Sequence, residues 1–145
     1  MRHRMAVAVL ALLGILVSAY LLLYKIGLVG TLVCGGSGAC ERVQASPYSA
    51  FLGIPVAAYG VAGFAALFVV ALAGLGERWV GGAGASWFLA ALAAPGTLFA
   101  AYLTYLEIAV IHDVCRWCAV SALLITAILV VAALGARSFS RSRGR

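Results

Sequence analysis

The chain has 145 residues, of which 66% are hydrophobic and only 10% are charged. Soluble domains carry roughly a quarter charged residues, so this composition excludes an ordinary water-soluble protein and indicates a single membrane domain over residues 1–145. The net charge of +6 lies mainly at the two chain ends. Basic ends beside apolar stretches are typical of membrane topology signals, and we predict no nucleic-acid partner.

Four nearly uncharged stretches are long enough to cross a bilayer, which takes about 20 apolar residues. They predict helices over about 5–28, 54–76, 86–110 and 115–135. The predicted fold class is therefore an all-α membrane protein, a four-transmembrane-helix bundle. The first stretch follows Arg2 and Arg4 as in a signal peptide. It is too long for a signal-peptide core and has no clear small-residue cleavage site, so we expect a retained helix.

Arginines at both ends predict the topology. They are Arg2 and Arg4 at the start and Arg137, Arg141, Arg143 and Arg145 at the end. Cationic flanks stay in the cytoplasm, so we expect a multi-pass protein of the cell (inner) membrane, surrounded by lipid, with both termini cytoplasmic. Segments 25–50 and 107–116 then face outside, and 76–86 faces inside. The tail 137–145 is expected to be disordered.

The outer segment from Gly30 to Gly53 is too long for a tight turn. It predicts a long, glycine-rich loop that carries a short surface helix. That helix is expected to begin at Ser46-Pro47, because proline suits the first position of a helix.

All four cysteines fall on the predicted outer face. Cys34 and Cys40 lie in the long loop, and Cys115 and Cys118 lie where the chain enters the last helix. Outer faces are oxidising, so disulfides persist there. Four cysteines allow three pairings, and short loop closure favours Cys34–Cys40 together with Cys115–Cys118.

The second pair forms a C-x-x-C motif at a predicted helix start, with Asp113 as the expected N-cap. A helix N-terminus favours a thiolate, and a thiol with a lowered pKa forms an easily reduced disulfide. The spacing places Cys115 and Cys118 on one helix face, with Cys118 deeper in the membrane. Two dithiols on one face suggest a relay from a mobile pair to a fixed pair.

The sequence resembles the vitamin K epoxide reductase family, specifically its bacterial stand-alone members. The resemblance rests on Cys34-x5-Cys40, on Arg42-Val43 and Ser46, on the run LGIPVAAYG over residues 52–60, and on Cys115-x-x-Cys118. The other quinone-linked family, the DsbB type, has its C-x-x-C before its separated pair. This chain has the opposite order.

The resemblance implies a four-helix bundle around a quinone, menaquinone or ubiquinone, which accepts electrons. It implies that Cys118 faces the quinone, that Cys115 is its exchange partner, and that Cys34 and Cys40 are the shuttle pair. Ser46 would support the active site. Because no thioredoxin-like domain is fused to this chain, the resemblance also implies a separate thioredoxin-like (DsbA-type) partner on the outer face.

The chain departs from the vertebrate members around the quinone. Val56 stands where they carry a quinone-binding Asn, Ala122 where they carry a Tyr, and Gln44 where they carry a Phe. Val56, Ala122, Ser46 and Tyr59 are the candidate quinone contacts. The departures leave vitamin K epoxide chemistry open but do not affect the thiol relay.

Several other residues near the outer ends are weaker candidates. Tyr102 and Tyr105 are possible cavity residues, and His112 is a possible proton relay. Glu107 is a functional candidate because ionisable residues at membrane depth often are. The alternative for Glu107 and His112 is an interfacial side chain that reaches water.

Two other function classes stay open. A thiol-based metal-ion transporter would bind metal through reduced cysteines without needing quinone. A non-enzymatic membrane scaffold with structural disulfides would keep its function without Cys118. Structural zinc needs a closed set of four ligands, and no His lies near Cys34 and Cys40, so we predict no metal site.

Overall fold

The computed structural model describes residues 2–32, 38–76 and 83–145. Its α-helices are α1 (Arg2–Lys25), α2 (Ala39–Ala45), α3 (Val56–Ala73), α4 (Gly84–Leu106) and α5 (Arg116–Arg143). A 3-10 turn covers Pro47–Ser49, and a π-helical turn, Glu107–Ile111, continues α4. Two short antiparallel strands, β1 (Ala50–Phe51) and β2 (Ile54–Pro55), form a hairpin.

Four helical segments in the described part of the chain are long and apolar enough to cross a membrane. They are Arg2–Lys25, Val56–Ala73, Gly84–Ile111 and Arg116–Arg143. This confirms the predicted all-α, four-span bundle with a short surface helix between the first two spans. Large apolar side chains on these helices point away from the bundle, as lipid contact requires; Val69, Leu98 and Leu123 are 62%, 73% and 71% exposed.

The spans approach closely because small residues lie between them. α1 packs against α3 and α5, and α4 packs against α5. The shared core contains Ala11, Ala93 and Ala132, which are at most 2% exposed. A Cβ atom added at Gly14 would collide with the ring of Phe64. Small residues at helix crossings are the usual means of close packing in membranes.

The start of α1 meets the end of α5. Arg4 is 2% exposed, donates a hydrogen bond to the Gly74 carbonyl at 2.5 Å, and lies 5.3 Å from the ring centre of Phe139. His3 contacts the backbone position of Gly135. Both chain ends therefore lie at the same end of the bundle, which an even number of spans requires.

The expectation of a disordered tail over 137–145 is wrong, because α5 continues to Arg143. Residues 137–143 contain no glycine or proline, and Ser140 Oγ donates to the Ala136 carbonyl at 3.1 Å. Arg141 and Arg143 lie in the last turn, where cations interact favourably with the helix dipole. Most of the predicted inner connection 76–86 lies outside the described residues.

Candidate active site

The described residues that follow the first span form two short helices at one end of the bundle, Ala39–Ala45 and Pro47–Ser49. The predicted surface helix is present as the 3-10 turn, with Ser46 as its N-cap and Pro47 at its first position. The helix before it, α2, was not predicted. Lys25 at the end of α1 donates hydrogen bonds to the Gln44 carbonyl (2.5 Å) and to Ser49 Oγ (2.6 Å). The end of the first span therefore anchors both short helices.

α2 brings one loop cysteine directly onto the C-x-x-C motif. Cys40 and Cys115 are both fully buried, and their sulfur atoms lie 3.3 Å apart. Cys40 is disulfide-bonded, whereas Cys115 and Cys118 are free thiols. A free thiol in contact with a disulfide sulfur has the arrangement that thiol–disulfide exchange requires. Cys34, the predicted partner of Cys40, lies outside the described residues.

The local structure at the start of α5 favours a thiolate on Cys115. This residue has an extended backbone and is the N-cap of α5. Its contact with the Cys118 thiol lowers the pKa of Cys115, and the backbone N–H groups of Cys118 and Trp117 add to this lowering against the effect of burial. Reactive cysteines at helix N-termini behave in this way.

Asp113 is not the N-cap of α5, contrary to the prediction. Its two carboxylate oxygens accept from Arg42, with Nε–Oδ2 at 2.7 Å and Nη2–Oδ1 at 2.8 Å. The hydrogen bond from Arg42 lowers the pKa of Asp113. Because Arg42 follows Cys40 by two residues and Asp113 precedes Cys115 by two, this bidentate pair clamps together the two segments that carry the touching sulfurs.

Two buried polar side chains surround Cys118. Gln44 Nε2 lies 3.7 Å from its sulfur. The Glu107 carboxylate forms a side-chain hydrogen bond with Cys118 and accepts the Cys115 N–H at 3.2 Å. Gln44 and Glu107 are 7% and 5% exposed. Glu107 is therefore not an interfacial side chain that reaches water, whereas His112 is exposed.

A cavity of about 290 Å³ begins at Cys118. The four candidate quinone contacts, Ser46, Val56, Tyr59 and Ala122, all line it. The rest of its wall is largely apolar and includes Phe64, Leu67, Leu92, Phe99, Leu103 and Ile125. Tyr102 and Tyr105, the weaker candidates, do not line it and are 55% and 63% exposed.

The β1–β2 hairpin lies against the cavity wall. Tyr59 donates its hydroxyl to the Phe51 carbonyl at 3.0 Å. The Phe51 ring makes edge contacts with Tyr59 and Phe99, at centroid distances of 6.1 and 6.0 Å. These ring contacts tie the hairpin to α3 and α4.

The residues that form the spans and the cavity also match a known protein family. The sequence model of the vitamin K epoxide reductase family matches residues 5–133. The match reaches from the first span into the last and includes all four cysteines. The chain belongs to the vitamin K epoxide reductase family. Members are membrane thiol oxidoreductases, generally linked to quinones, and this chain is a multi-pass member with no fused domain within its 145 residues.

Two residues of this candidate site were not assigned from sequence. Gln44 was noted only as a departure from vertebrate members, and no contact between Glu107 and Cys118 was predicted. A signal for Gln44 was present, because Cys40, Val43 and Gln44 have the spacing of one helical face and all three are buried. Among the described residues, no three His, Cys, Asp or Glu side chains are grouped as a metal site would need.

Proposed function

We propose that this protein takes electrons from a thioredoxin-like (DsbA-type) protein on the outer face and passes them to a membrane quinone, which sustains disulfide formation. The observation that carries the proposal is the 3.3 Å contact between the Cys40 and Cys115 sulfurs, with Cys118 on the wall of an apolar cavity. In this proposal the Cys34–Cys40 pair receives electrons from the donor, and the Cys115–Cys118 pair delivers them to the quinone.

The relay balances as successive thiol–disulfide exchanges. A thiolate of the donor attacks Cys34 of the Cys34–Cys40 disulfide, and Cys40 leaves as a thiolate. Once the donor has been released as its own disulfide, Cys40 attacks Cys115 in the Cys115–Cys118 disulfide and Cys118 leaves. Cys34 then closes on Cys40. The Cys115–Cys118 dithiol finally gives two electrons and two protons to the quinone, and its S–S bond reforms.

The cavity fits a quinone head group in size and chemistry. A dry cavity of roughly 150 Å³ accepts a benzene ring, so about 290 Å³ accommodates one or two fused rings. The apolar wall suits the ring, and hydrogen-bond donors suit its carbonyl oxygens. Ser121 Oγ lines the cavity, is buried, and has no hydrogen-bond partner within the described ranges. A quinone oxygen would give it one.

A quinone-reduction assay tests the proposal. Purified protein is supplied with a reduced thioredoxin-like donor and either menaquinone or ubiquinone. We expect quinone reduction that matches disulfide formation on the donor. Absence of reduction with both quinones, together with tight metal binding by the reduced cysteines, would favour the metal-transporter alternative. Donor oxidation or quinone reduction that persists without Cys118 would contradict the assigned relay.

The order within the loop pair is tested by trapping. Cys40 lies in α2 and touches Cys115, which leaves Cys34 as the site of donor attack. Under oxidising conditions, Cys40→Ala should leave the donor joined to Cys34, and Cys34→Ala should collect a Cys40–Cys115 disulfide. Non-reducing gels and mass spectrometry read both products. A donor trapped on Cys40, with Cys34 joined to Cys115, would reverse the order.

We also propose that the cysteine end faces outside the cell membrane and both termini face the cytoplasm. The arginines at both chain ends support this orientation. Ser142→Cys and Leu52→Cys place labels at opposite ends, with Leu52 being 83% exposed on the hairpin. A membrane-impermeant reagent applied to intact cells should label position 52 and spare position 142, as mapped by peptide mass spectrometry. Labelling at 142 would contradict the topology.

A further inference from the structure

A buried carboxylate lies between the C-x-x-C thiols and the cavity. Glu107 is 5% exposed and lines the cavity. It is the only carboxylate among the cavity-lining residues in the described part of the chain. The bilayer interior penalises a carboxylate strongly, so its presence at this position needs a reason.

The main chain fixes Glu107 in place. Its carbonyl accepts the N–H groups of His112 and of Asp113, the latter at 3.1 Å, and so closes the π-helical turn. Its side chain turns to the thiols, where Oε2 accepts the Cys115 N–H at 3.2 Å and the carboxylate hydrogen-bonds Cys118. These side-chain partners within the described residues are an amide and a thiol, so the contacts do not neutralise the carboxylate as a cation would.

Reduction of a quinone inside such a cavity consumes protons as well as electrons. The two thiols lose two protons when their disulfide forms, and two O–H bonds form on the acceptor. Most of the cavity wall away from Cys118 is apolar, so proton transfer to a quinone there needs a side chain that can both accept and donate. Side chains positioned for this transfer contribute about 10²- to 10⁴-fold to rate.

We propose that Glu107 is a catalytic proton carrier for the quinone step, an assignment that rests on the proposed function. The carboxylate takes the proton of the Cys118 thiol as that sulfur reacts and donates it to a quinone oxygen in the cavity. The second proton, that of the Cys115 thiol, passes to the regenerated Glu107 carboxylate as the Cys115 sulfur closes the disulfide, and from there to the second quinone oxygen. Two S–H bonds break, one S–S bond and two O–H bonds form, and Glu107 ends as the carboxylate it was at the start.

Two other roles for Glu107 predict different behaviour. If it only accepts the Cys115 N–H, a glutamine would serve equally, because its amide oxygen accepts the same bond. If it acts only as a charge, it opposes formation of the neighbouring Cys118 thiolate, and removing the charge would speed the reaction. Only a proton carrier is slowed by the change from Glu to Gln.

The test is single-turnover reduction of quinone by prereduced protein, without oxygen, at a series of pH values. We expect Glu107→Gln to slow this step about 10²-fold at neutral pH. Glu107→Asp should be intermediate. The matched control is Glu41→Gln on α2, whose carboxylate accepts the Leu32 N–H at 3.3 Å away from the cavity; its turnover should equal that of the wild type.

Few ionisable groups lie close enough to the cavity to affect the pH profile of quinone reduction. The other ionisable side chains on the cavity wall are Tyr48, Tyr59 and Cys118, with Cys115 beside them and the Arg42–Asp113 pair at the outer surface. We expect the wild-type rate to fall at acidic pH as Glu107 protonates, and this acidic limb to be absent in Glu107→Gln.

Each outcome separates this assignment from the proposed function. Wild-type turnover with an unchanged or faster Glu107→Gln variant overturns the proton-carrier role and leaves the quinone relay standing. A wild-type protein that reduces no quinone overturns both. Exchange between the loop dithiol and Cys115–Cys118, measured without quinone, should be the same in wild type and variant. If Glu107→Gln does not fold, Glu107→Asp decides: a wild-type rate and pH profile in that variant would refute the assignment.

Discussion

The half of the bundle that carries both chain ends, which we call the inner half, is built differently from the half that carries the described cysteines, which we call the outer half. The inner half packs aliphatic and small residues tightly; Val7, Ala11, Ala71, Ala93 and Ile128 are at most 1% exposed. The outer half buries a smaller cluster that contains Cys40 and Cys115 and lies beside the cavity. The close-packed half holds the spans together, and the looser half leaves room for a substrate next to sulfur atoms.

Buried polar groups follow the same division. The outer half buries Gln44 and Glu107 against Cys118, and Ser49 against Lys25. The inner end buries Arg4, which is held by the Gly74 carbonyl. Burying polar groups is unfavourable unless they are hydrogen-bonded, so each marks a place where packing alone does not explain the residue. At the outer end, two of these groups touch the sulfur that we place in the reaction.

Removing the innermost sulfur should give the largest effect on turnover. We expect Cys118→Ala to lower quinone reduction at least about 10³-fold, because the electron-donating thiol is lost. The folded bundle should survive, since Cys118 lies at the cavity wall and not in the inner core. Turnover and thermal unfolding of the same preparation measure both. Near-normal turnover in this variant would refute the division between a packed half and a reacting half.

Filling the cavity should have the next largest effect. Ala122→Phe places a ring in the space next to Cys118, and we expect KM for quinone to rise about tenfold, equivalent to about 1.4 kcal/mol of binding. The control is Leu123→Phe on the same helix, where the side chain is 71% exposed and faces lipid. Steady-state kinetics with varied quinone compares them. Equal KM values would show that quinone binds elsewhere.

Breaking the Arg42–Asp113 clamp should have a smaller effect, limited to the exchange between sulfur pairs. We expect Arg42→Ala or Asp113→Ala to slow transfer from Cys40 to Cys115 by roughly three- to tenfold, because an exposed ion pair contributes little by itself but this one also sets a sulfur contact. Rapid-quench trapping of the two cysteine pairs measures the step. The double exchange Arg42→Asp with Asp113→Arg should restore it.

The pH dependence of the Arg42–Asp113 ion pair follows from the direction in which the pKa of Asp113 is shifted. Arg42 lowers the pKa of Asp113, so the ion pair is intact above the ordinary Asp value of about 4 and is lost as pH falls through the lowered folded value. Changing the pH from 8 to 5 should therefore not reproduce the slowing seen in Arg42→Ala. High salt should reproduce part of it, because exposed charges are screened. A clamp variant with wild-type exchange would mean that packing alone aligns the sulfurs.

The sequence predicts the spans well because apolar length is a local property. It also predicts the surface turn at Ser46-Pro47, since proline chemistry is local. It predicts the tail wrongly, because the charge of residues 137–145 resembles a disordered segment while their intrinsic helix propensity permits α5 to continue. Asp113 was assigned as a cap on position alone. Its actual partner, Arg42, is 71 residues away in sequence.

Contacts between residues far apart in the sequence also limit what could be predicted of the site. The family resemblance identifies the four cysteines and the cavity candidates, because those positions belong to recognisable motifs. The contact between Gln44 and Cys118 joins residues that are 74 apart in the sequence. The contact between Glu107 and the C-x-x-C pair depends on a π-helical turn, which the sequence pattern did not predict. Contacts of this kind depend on the packing of whole helices and appear only in the folded chain.

The smallest effect on turnover should come from the inner end, where stability changes instead. Arg4→Ala removes the hydrogen bond to the Gly74 carbonyl at the end of α3 and the contact with Phe139. We expect the free energy of unfolding to fall by about 2 kcal/mol, as for hydrogen bonds to charged groups, with unchanged quinone turnover per folded molecule. Arg2→Ala is the matched control, because Arg2 is exposed and should change neither. Denaturant unfolding in detergent, with turnover measured on the folded fraction, compares the two variants. A large loss of turnover in Arg4→Ala, at full folding, would show that the inner end is coupled to the cavity and that the two halves do not act separately.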